Sequence, residues 1–113
     1  ARRCSMRSLR STTMELRVLR RLRHPNIVLM HGACCDPSGS GDIWLVLEYV
    51  SGPHLGEFTN AAPPAGPNLG SRLGLLKDLC FALVYLHAQE PQVIHGDLKP
   101  GNVLVEISGA GCR

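Results

Sequence analysis

The sequence predicts an α+β chain. Three observations carry that reading: apolar residues recur at helical spacing over residues 11–23 and 69–88; two short apolar runs, 27–35 and 43–50, are separated by turn formers; and two strand-like pieces flank a polar loop at 95–102.

Over residues 11–23, Met14, Val18 and Leu22 fall on one helical face with Leu19 beside them, and Ser11, Thr12 or Thr13 can cap the start. The helix is expected to end near His24-Pro25-Asn26. Glu15, its only acid, can simply favour the first turn through the helix dipole. Residues 27–35 read as a buried strand interrupted by Gly32, Asp36 to Asp42 as a turn, and 43–50 as the returning strand, so the two form a hairpin. Residues 51–68 are rich in Gly, Pro and Ala; a short helix is expected over 55–59, and Pro63, Pro64, Gly66 and Pro67 exclude one beyond it. Residues 69–88, capped by Asn68 or Ser71, make a helix of about five turns. Its stripe of Leu69, Leu73, Leu76, Cys80 and Leu83, ending in Tyr85-Leu86-His87, is read as core. Residues 89–92 break the helix before a strand at Val93-Ile94, and a second strand is expected at Val103 to Val105.

Between those strands lies His95-Gly96-Asp97-Leu98-Lys99-Pro100-Gly101-Asn102. Pro100 restricts Lys99 to extended conformations and Gly101 permits a sharp turn, so Asp97, Lys99 and Asn102 project from an irregular loop that can aim an acid, a base and an amide at one point. The same residue types also suit an exposed turn.

The stretch resembles the catalytic loop of the eukaryotic protein kinases, H-R-D-L-x-x-x-N, with Gly96 in place of Arg. The resemblance implies that Asp97 is the catalytic base, that Lys99 faces the transferred phosphoryl group, and that Asn102 gives an amide oxygen to magnesium. Lys99 before Pro100 is similar to the serine/threonine-specific form of the loop, and the His-Gly-Ala-Cys-Cys strand points to the tyrosine-kinase-like group. His95 is expected to be a buried brace. The upstream helix and hairpin resemble the small lobe, which implies that Glu15 pairs with a strand Lys, that Leu47 is the gatekeeper, and that Glu48-Tyr49-Val50 is the hinge whose backbone binds adenine. Leu104 is expected beneath the adenine ring. His54 stands where the family often places an acid for ribose, which leaves the sugar contact open.

By this resemblance the fold is a partial protein-kinase-like fold: residues 1–47 are a small-lobe remnant, 48–52 the hinge, and 53–113 part of the large lobe. The implied activity is ATP- and magnesium-dependent phosphoryl transfer to protein Ser or Thr in a longer parent, in an intracellular, cytoplasmic setting. The alternative is a pseudokinase or interaction module. The 113 residues contain no Gly-rich phosphate loop, no Val-Ala-Ile-Lys, no Asp-Phe-Gly and no Ala-Pro-Glu, so this stretch alone is expected to be inactive. Ala1 at the start and the end at Cys112-Arg113 are expected to mark a piece of a longer chain, poorly soluble or loosely packed because its apolar faces lack cover. Gly96 cannot pair with a phosphate on an activation loop, so the parent is expected not to be switched on through that contact.

Composition sets the outer bounds. With 44% hydrophobic residues the chain can build a core, and no apolar run reaches the length of a membrane span. The net charge of +3 is local: residues 1–23 hold eight Arg against Glu15, and the remainder holds four basic against eight acidic residues. That Arg-rich start has the composition of a transit peptide or nucleic-acid patch, but no aromatic residue interleaves the arginines, and nucleic acid is not an expected partner. Five cysteines without C-x-x-C spacing argue against a disulfide framework or zinc site. His31 lies near Cys34 and Cys35, but these two are read as small core residues.

Overall fold

A computed structural model describes residues 2–4, 9–61, 67–108 and 111–112, as two compact units that divide between Tyr49 and Val50. The Pro-rich run expected at 63–66 lies outside the described residues.

The first unit holds β1 (Arg2–Cys4), α1 (Leu9–Arg21), β2 (Met30–Cys35) and β3 (Ile43–Leu47). Its sheet has the order β1-β3-β2, and both pairings are antiparallel. β1 has no apolar alternation to announce it; pairing with β3, Arg3 opposite Trp44, makes it a strand. The hairpin β2–β3 is as expected, but β2 begins at Met30 because Ile27 donates back to the His24 carbonyl (3.1 Å) and closes a turn. The register shifts between Met30 and Gly32, which leaves His31 as the extra residue of a bulge. β3 stops at Leu47, where Glu48 N–H donates to the Leu29 carbonyl (2.8 Å) and the Glu48 carboxylate accepts from Leu29 N–H (3.0 Å), a side chain standing in for the next ladder carbonyl.

The hairpin loop is closed by Asp36. Its N–H donates to the Asp42 carbonyl (2.9 Å), and its carboxylate accepts from Ser38 N–H (3.1 Å), the Ser38 hydroxyl and the Ser40 hydroxyl (2.7 Å). Among the described residues of this unit, Leu22, just past α1, and Met30 are the buried apolar ones. Beyond Met30, β2 is largely uncovered. Cys34 and Cys35 are therefore exposed, contrary to the core role expected for them.

The second unit holds α2 (Leu55–Asn60), α3 (Leu69–His87), a 3-10 turn at Pro100–Asn102, and the short pair β4 (Ile107–Ser108) and β5 (Gly111–Cys112), which the sequence did not announce. Asn68, not Ser71, caps α3: its side-chain oxygen accepts from Ser71 N–H at 2.8 Å. The segment before α2 runs antiparallel to the segment after the 3-10 turn. Val105 N–H donates to the Pro53 carbonyl (2.9 Å), Leu55 N–H to that of Val103 (2.8 Å), and Ile107 N–H to that of Ser51 (3.4 Å). Pro53 has no N–H to return, so the strand expected at 103–105 is only the bridge His54–Leu104. The strand expected at Val93-Ile94 is absent too: Val93 N–H turns back onto the Leu86 carbonyl at the end of α3 (3.1 Å).

Gly52 makes this pairing possible. Its φ is 154°, and a Cβ there would stand 1.8 Å from the Val105 carbonyl oxygen. Val105 is completely buried and packs with Phe58 of α2 and Leu75 of α3, with Leu55 against them. The face of α3 that packs is only partly the expected one. Leu86 is buried and Leu83 half-buried, as expected, but Leu75 and Ala82 are the other buried residues, whereas Leu69, Leu73 and Leu76 are 72%, 57% and 60% exposed. α3 is apolar around most of its circumference, so its periodicity does not single out a face.

Urea denaturation checks both points. Leu75→Ala is expected to lower stability by about 2–5 kcal/mol and Leu73→Ala by less than about 0.5 kcal/mol; the reverse order would restore the stripe read from sequence. Gly52→Ala is expected to destabilise by about 1–3 kcal/mol through the clash with Val105. Gly74→Ala, in the interior of α3 with no neighbour within 4 Å of its added Cβ, is expected to stabilise by about 0.5–1 kcal/mol.

Candidate functional site

The polar loop that follows α3 is shaped by its own side chains. Gly96 has φ 76°, a left-handed conformation that a side chain would strain. The next N–H, that of Asp97, donates to His95 Nδ1 (3.2 Å). Lys99 is extended, as a residue before proline should be, and Pro100 opens the 3-10 turn, closed by Asn102 N–H on the Lys99 carbonyl (2.9 Å). Together these turns reverse the chain over six residues and bring Asn102 back onto Asp97.

Asp97, Lys99 and Asn102 therefore meet. The Lys99 ammonium lies 3.1 Å from Asp97 Oδ2, and Asn102 Nδ2 donates to the same carboxylate oxygen (3.0 Å) and to the Asp97 carbonyl (2.8 Å). Nδ2 is the Asn102 atom that faces Asp97, and the same amide carries an oxygen of the hard type that magnesium takes. The bonds from Lys99, then from Asn102, and the charge of Lys99 hold the Asp97 carboxyl below the usual carboxylate range. His95 braces this loop as expected, but through a ring nitrogen on an exposed residue, not as a buried one.

Leu104 is half-buried on the arm that pairs with His54, and Val50 belongs to the same unit. His54 has a backbone role that the sequence did not show. It caps α2, and its N–H donates to Glu57 Oε2 (3.2 Å). The spacing from cap to Glu was there to be read, but His is an unusual residue at its head. Gly52, whose close approach to Val105 seats this arm, was not singled out either; a Gly beside a Pro reads first as a turn. Glu15, Leu47 and Glu48 lie in the first unit: Glu15 exposed on α1, Leu47 half-buried at the end of β3, and Glu48 tied to Leu29. Among the described residues no group of three or more His, Cys, Asp or Glu side chains is placed to hold a metal ion.

The protein kinase domain family matches residues 2–110. A probable serine/threonine-protein kinase of Dictyostelium discoideum is 38% identical over 97 residues, covering 86% of this chain and 18% of that protein. The serine/threonine-protein kinase GRIK2 of Arabidopsis thaliana is 38% identical over 95 residues, covering 84% of this chain and 22% of that protein. Among solved structures, the kinase domain of maize sucrose-induced receptor kinase 1, bound to AMP-PNP, superposes with a TM-score of 0.77 at 27% identity, covering 94% of this chain and 37% of that one. The chain thus spans about a fifth of the length of these curated relatives.

The lowered Asp97 carboxyl has a testable sign. A group whose folded value is depressed adds stability that is present above its unfolded value, about 3.9, and lost as pH falls through the folded one. Carboxyl titration by NMR should show Asp97 protonating below the ordinary value of an aspartate, and Lys99→Ala should raise it more than Asn102→Ala does. An Asp97 that titrates unchanged in Lys99→Ala would contradict the ion pair.

Proposed function

The chain belongs to the protein kinase domain family, and from that premise we propose that it is the central part of a serine/threonine protein kinase that transfers phosphate from ATP to protein hydroxyls. One observation carries the reading: a carboxylate, an ammonium and an amide meet at a single carboxylate oxygen in an exposed loop, where a substrate can reach them. In this reading Asp97 orients the Ser or Thr hydroxyl and takes its proton as the oxygen–phosphorus bond forms and the bond to the departing diphosphate breaks. An ionised carboxylate serves this role because the transition state is loose and needs positioning more than a strong base. Lys99 neutralises charge on the transferred phosphoryl group. Asn102 would offer its amide oxygen to magnesium, and the ion would supply neutralisation of charge on the phosphates.

Adenine recognition falls to residues 48–52 as hinge, between a small-lobe portion at 1–47 and a large-lobe portion at 53–113. The Glu48 N–H is taken by Leu29, so Glu48 has its carbonyl to offer, and Val50 adds the next backbone groups. Leu47 is assigned the gatekeeper role and Leu104 an adenine contact by resemblance to the family alone. Glu15 would hold a Lys on a strand outside these residues. Support for the nucleotide comes from the maize kinase domain, which was solved with AMP-PNP. The proposed setting is intracellular and cytoplasmic; no helix among the described residues is long and apolar enough to cross a membrane.

Phosphoryl transfer from ATP to a Ser- and Thr-bearing acceptor tests this, in a kinase-length protein that carries these residues. Asp97→Asn is expected to lower the rate by about 10²–10⁴-fold. Lys99→Ala should lower it as well, while nucleotide binding persists in both variants. The 113 residues alone are expected to show no transfer above background. Undiminished transfer by Asp97→Asn would remove the catalytic assignment.

A further inference from the structure

β2 is the open edge of the first unit's sheet: the order is β1-β3-β2, and among the described residues no strand pairs with its outer side. The phase of its ladder is fixed by the bond from Asp36 N–H to the Asp42 carbonyl (2.9 Å), since bonded and non-bonded pairs alternate along an antiparallel register. Counting back from that pair through Cys35–Ile43, Cys34–Trp44, Ala33–Leu45 and Gly32–Val46, Cys34 and Gly32 bond to β3, whereas the N–H and C=O groups of Ala33 and Cys35 point off the edge. Open edges are usually blunted by charge or proline. This one is not: residues 30–35 contain no Lys, Arg, Asp, Glu or Pro, and the bulge at His31 disturbs only the start of the strand. Cys34 is exposed on the same face as Trp44 and Val46, also exposed, so an apolar strip runs out to the open edge.

We propose that this edge is an interface for a second copy of the chain, paired antiparallel to the first about a two-fold axis at Cys34. In that register Ala33 of each copy faces Cys35 of the other, and each pair exchanges both N–H···O bonds, so every outward backbone group of the two residues is used. Other axes serve worse. An axis at Cys35 would set Ala33 against Pro37, which has no N–H, and one at Ala33 would set Cys35 against His31 in the bulge. Self-pairing brings no like charges together, because the first charged residue, Asp36, falls opposite Gly32, which has no side chain. A foreign extended segment could borrow the same backbone groups, but a second copy also continues the apolar strip, with Cys34 and Trp44 of one beside Cys34 and Trp44 of the other. The axial Cys34 pair is of the non-hydrogen-bonded kind, with Cα atoms about 4.5 Å apart, inside the roughly 4.4–6.8 Å that a disulfide spans. The two copies of Cys35 lie on a diagonal about 7–8 Å apart, too far to bridge.

Cys34 therefore reports the register. In a kinase-length protein that carries these residues, oxidised glutathione should join two Cys34 thiols: one Cys34 thiolate displaces a glutathione thiolate, the second Cys34 displaces the other, and one glutathione disulfide is reduced to two thiols as the Cys34 disulfide forms. Mixing isotope-labelled with unlabelled protein, then digesting and reading by mass spectrometry, identifies a link between copies as a mixed-isotope peptide. That link is expected in the unsubstituted protein and in Cys35→Ser, and Cys34→Ser should leave Cys35 unlinked. Ala33→Pro removes an N–H that faces away from β3, so the hairpin keeps its ladder while the link should form about tenfold more slowly. Circular dichroism checks that the fold is kept, and Ala33→Lys, which leaves the backbone groups in place, should slow the link as well by setting a charge at the pairing. Linking through Cys35 as fast as through Cys34, or an unchanged rate in both Ala33 variants, would overturn the proposal. So would hydrogen-exchange protection of the Ala33 and Cys35 amides in Cys34→Ser that does not vary with protein concentration, in favour of an edge covered by the protein's own chain.

Discussion

The second unit depends on a contact that side chains would forbid. At Gly52 the backbone comes so close to the Val105 carbonyl that no Cβ fits between them, and this approach lets residues 51–55 pair with 103–107. The pairing fixes the arm that leaves the loop of Asp97, Lys99 and Asn102, and it buries Val105 against Phe58 and Leu75. Three levels meet at this point. A residue type allows a backbone approach, the approach aligns hydrogen bonds, and the bonds place an apolar side chain that joins α2 to α3.

With one arm held by this seam and the other leaving the end of α3, the loop between them has little freedom. Its remaining shape is set by short-range bonds: Asp97 N–H to His95, Asn102 to Asp97 twice, and Lys99 to Asp97. Asp97 is thus held by its own main chain and by its carboxylate, and the same donors that position the carboxylate keep it ionised. Positioning and charge state have one cause. For a reaction that needs a well-placed weak base, such a loop requires no buried acid with a raised pKa.

Much of this was legible in the sequence because it is local. The helices at 69–88 and 11–23, the hairpin around Asp36 to Asp42, and the convergence of Asp97, Lys99 and Asn102 follow from spacing, capping and the Pro-Gly pair, all of which act within a few residues. The failures have a different origin. The packed face of α3 could not be chosen because the helix is apolar on nearly every side, so only tertiary neighbours decide between Leu75 and Leu73. β1 has no alternation of its own and exists through β3. Residues 103–105 have a strand's composition, but their partner contains Pro53, which cannot complete a ladder. Cys34 and Cys35 look like core by composition, yet cover over β2 ends near Met30.

Gly96 joins the backbone argument to the chemical one. Its left-handed φ of 76° lets the chain turn so that Asp97 N–H reaches His95, and any L-residue there would pay about 1–2 kcal/mol for the same conformation. Nothing lies within 4 Å of where its Cβ would stand, so the position is limited by conformation and not by space. An Arg at this place would meet that backbone strain. With Gly the turn forms without strain and without an anion, so the geometry of Asp97, Lys99 and Asn102 is built from the loop's own bonds. The shape of the candidate site is in this way independent of a phosphate contact at position 96.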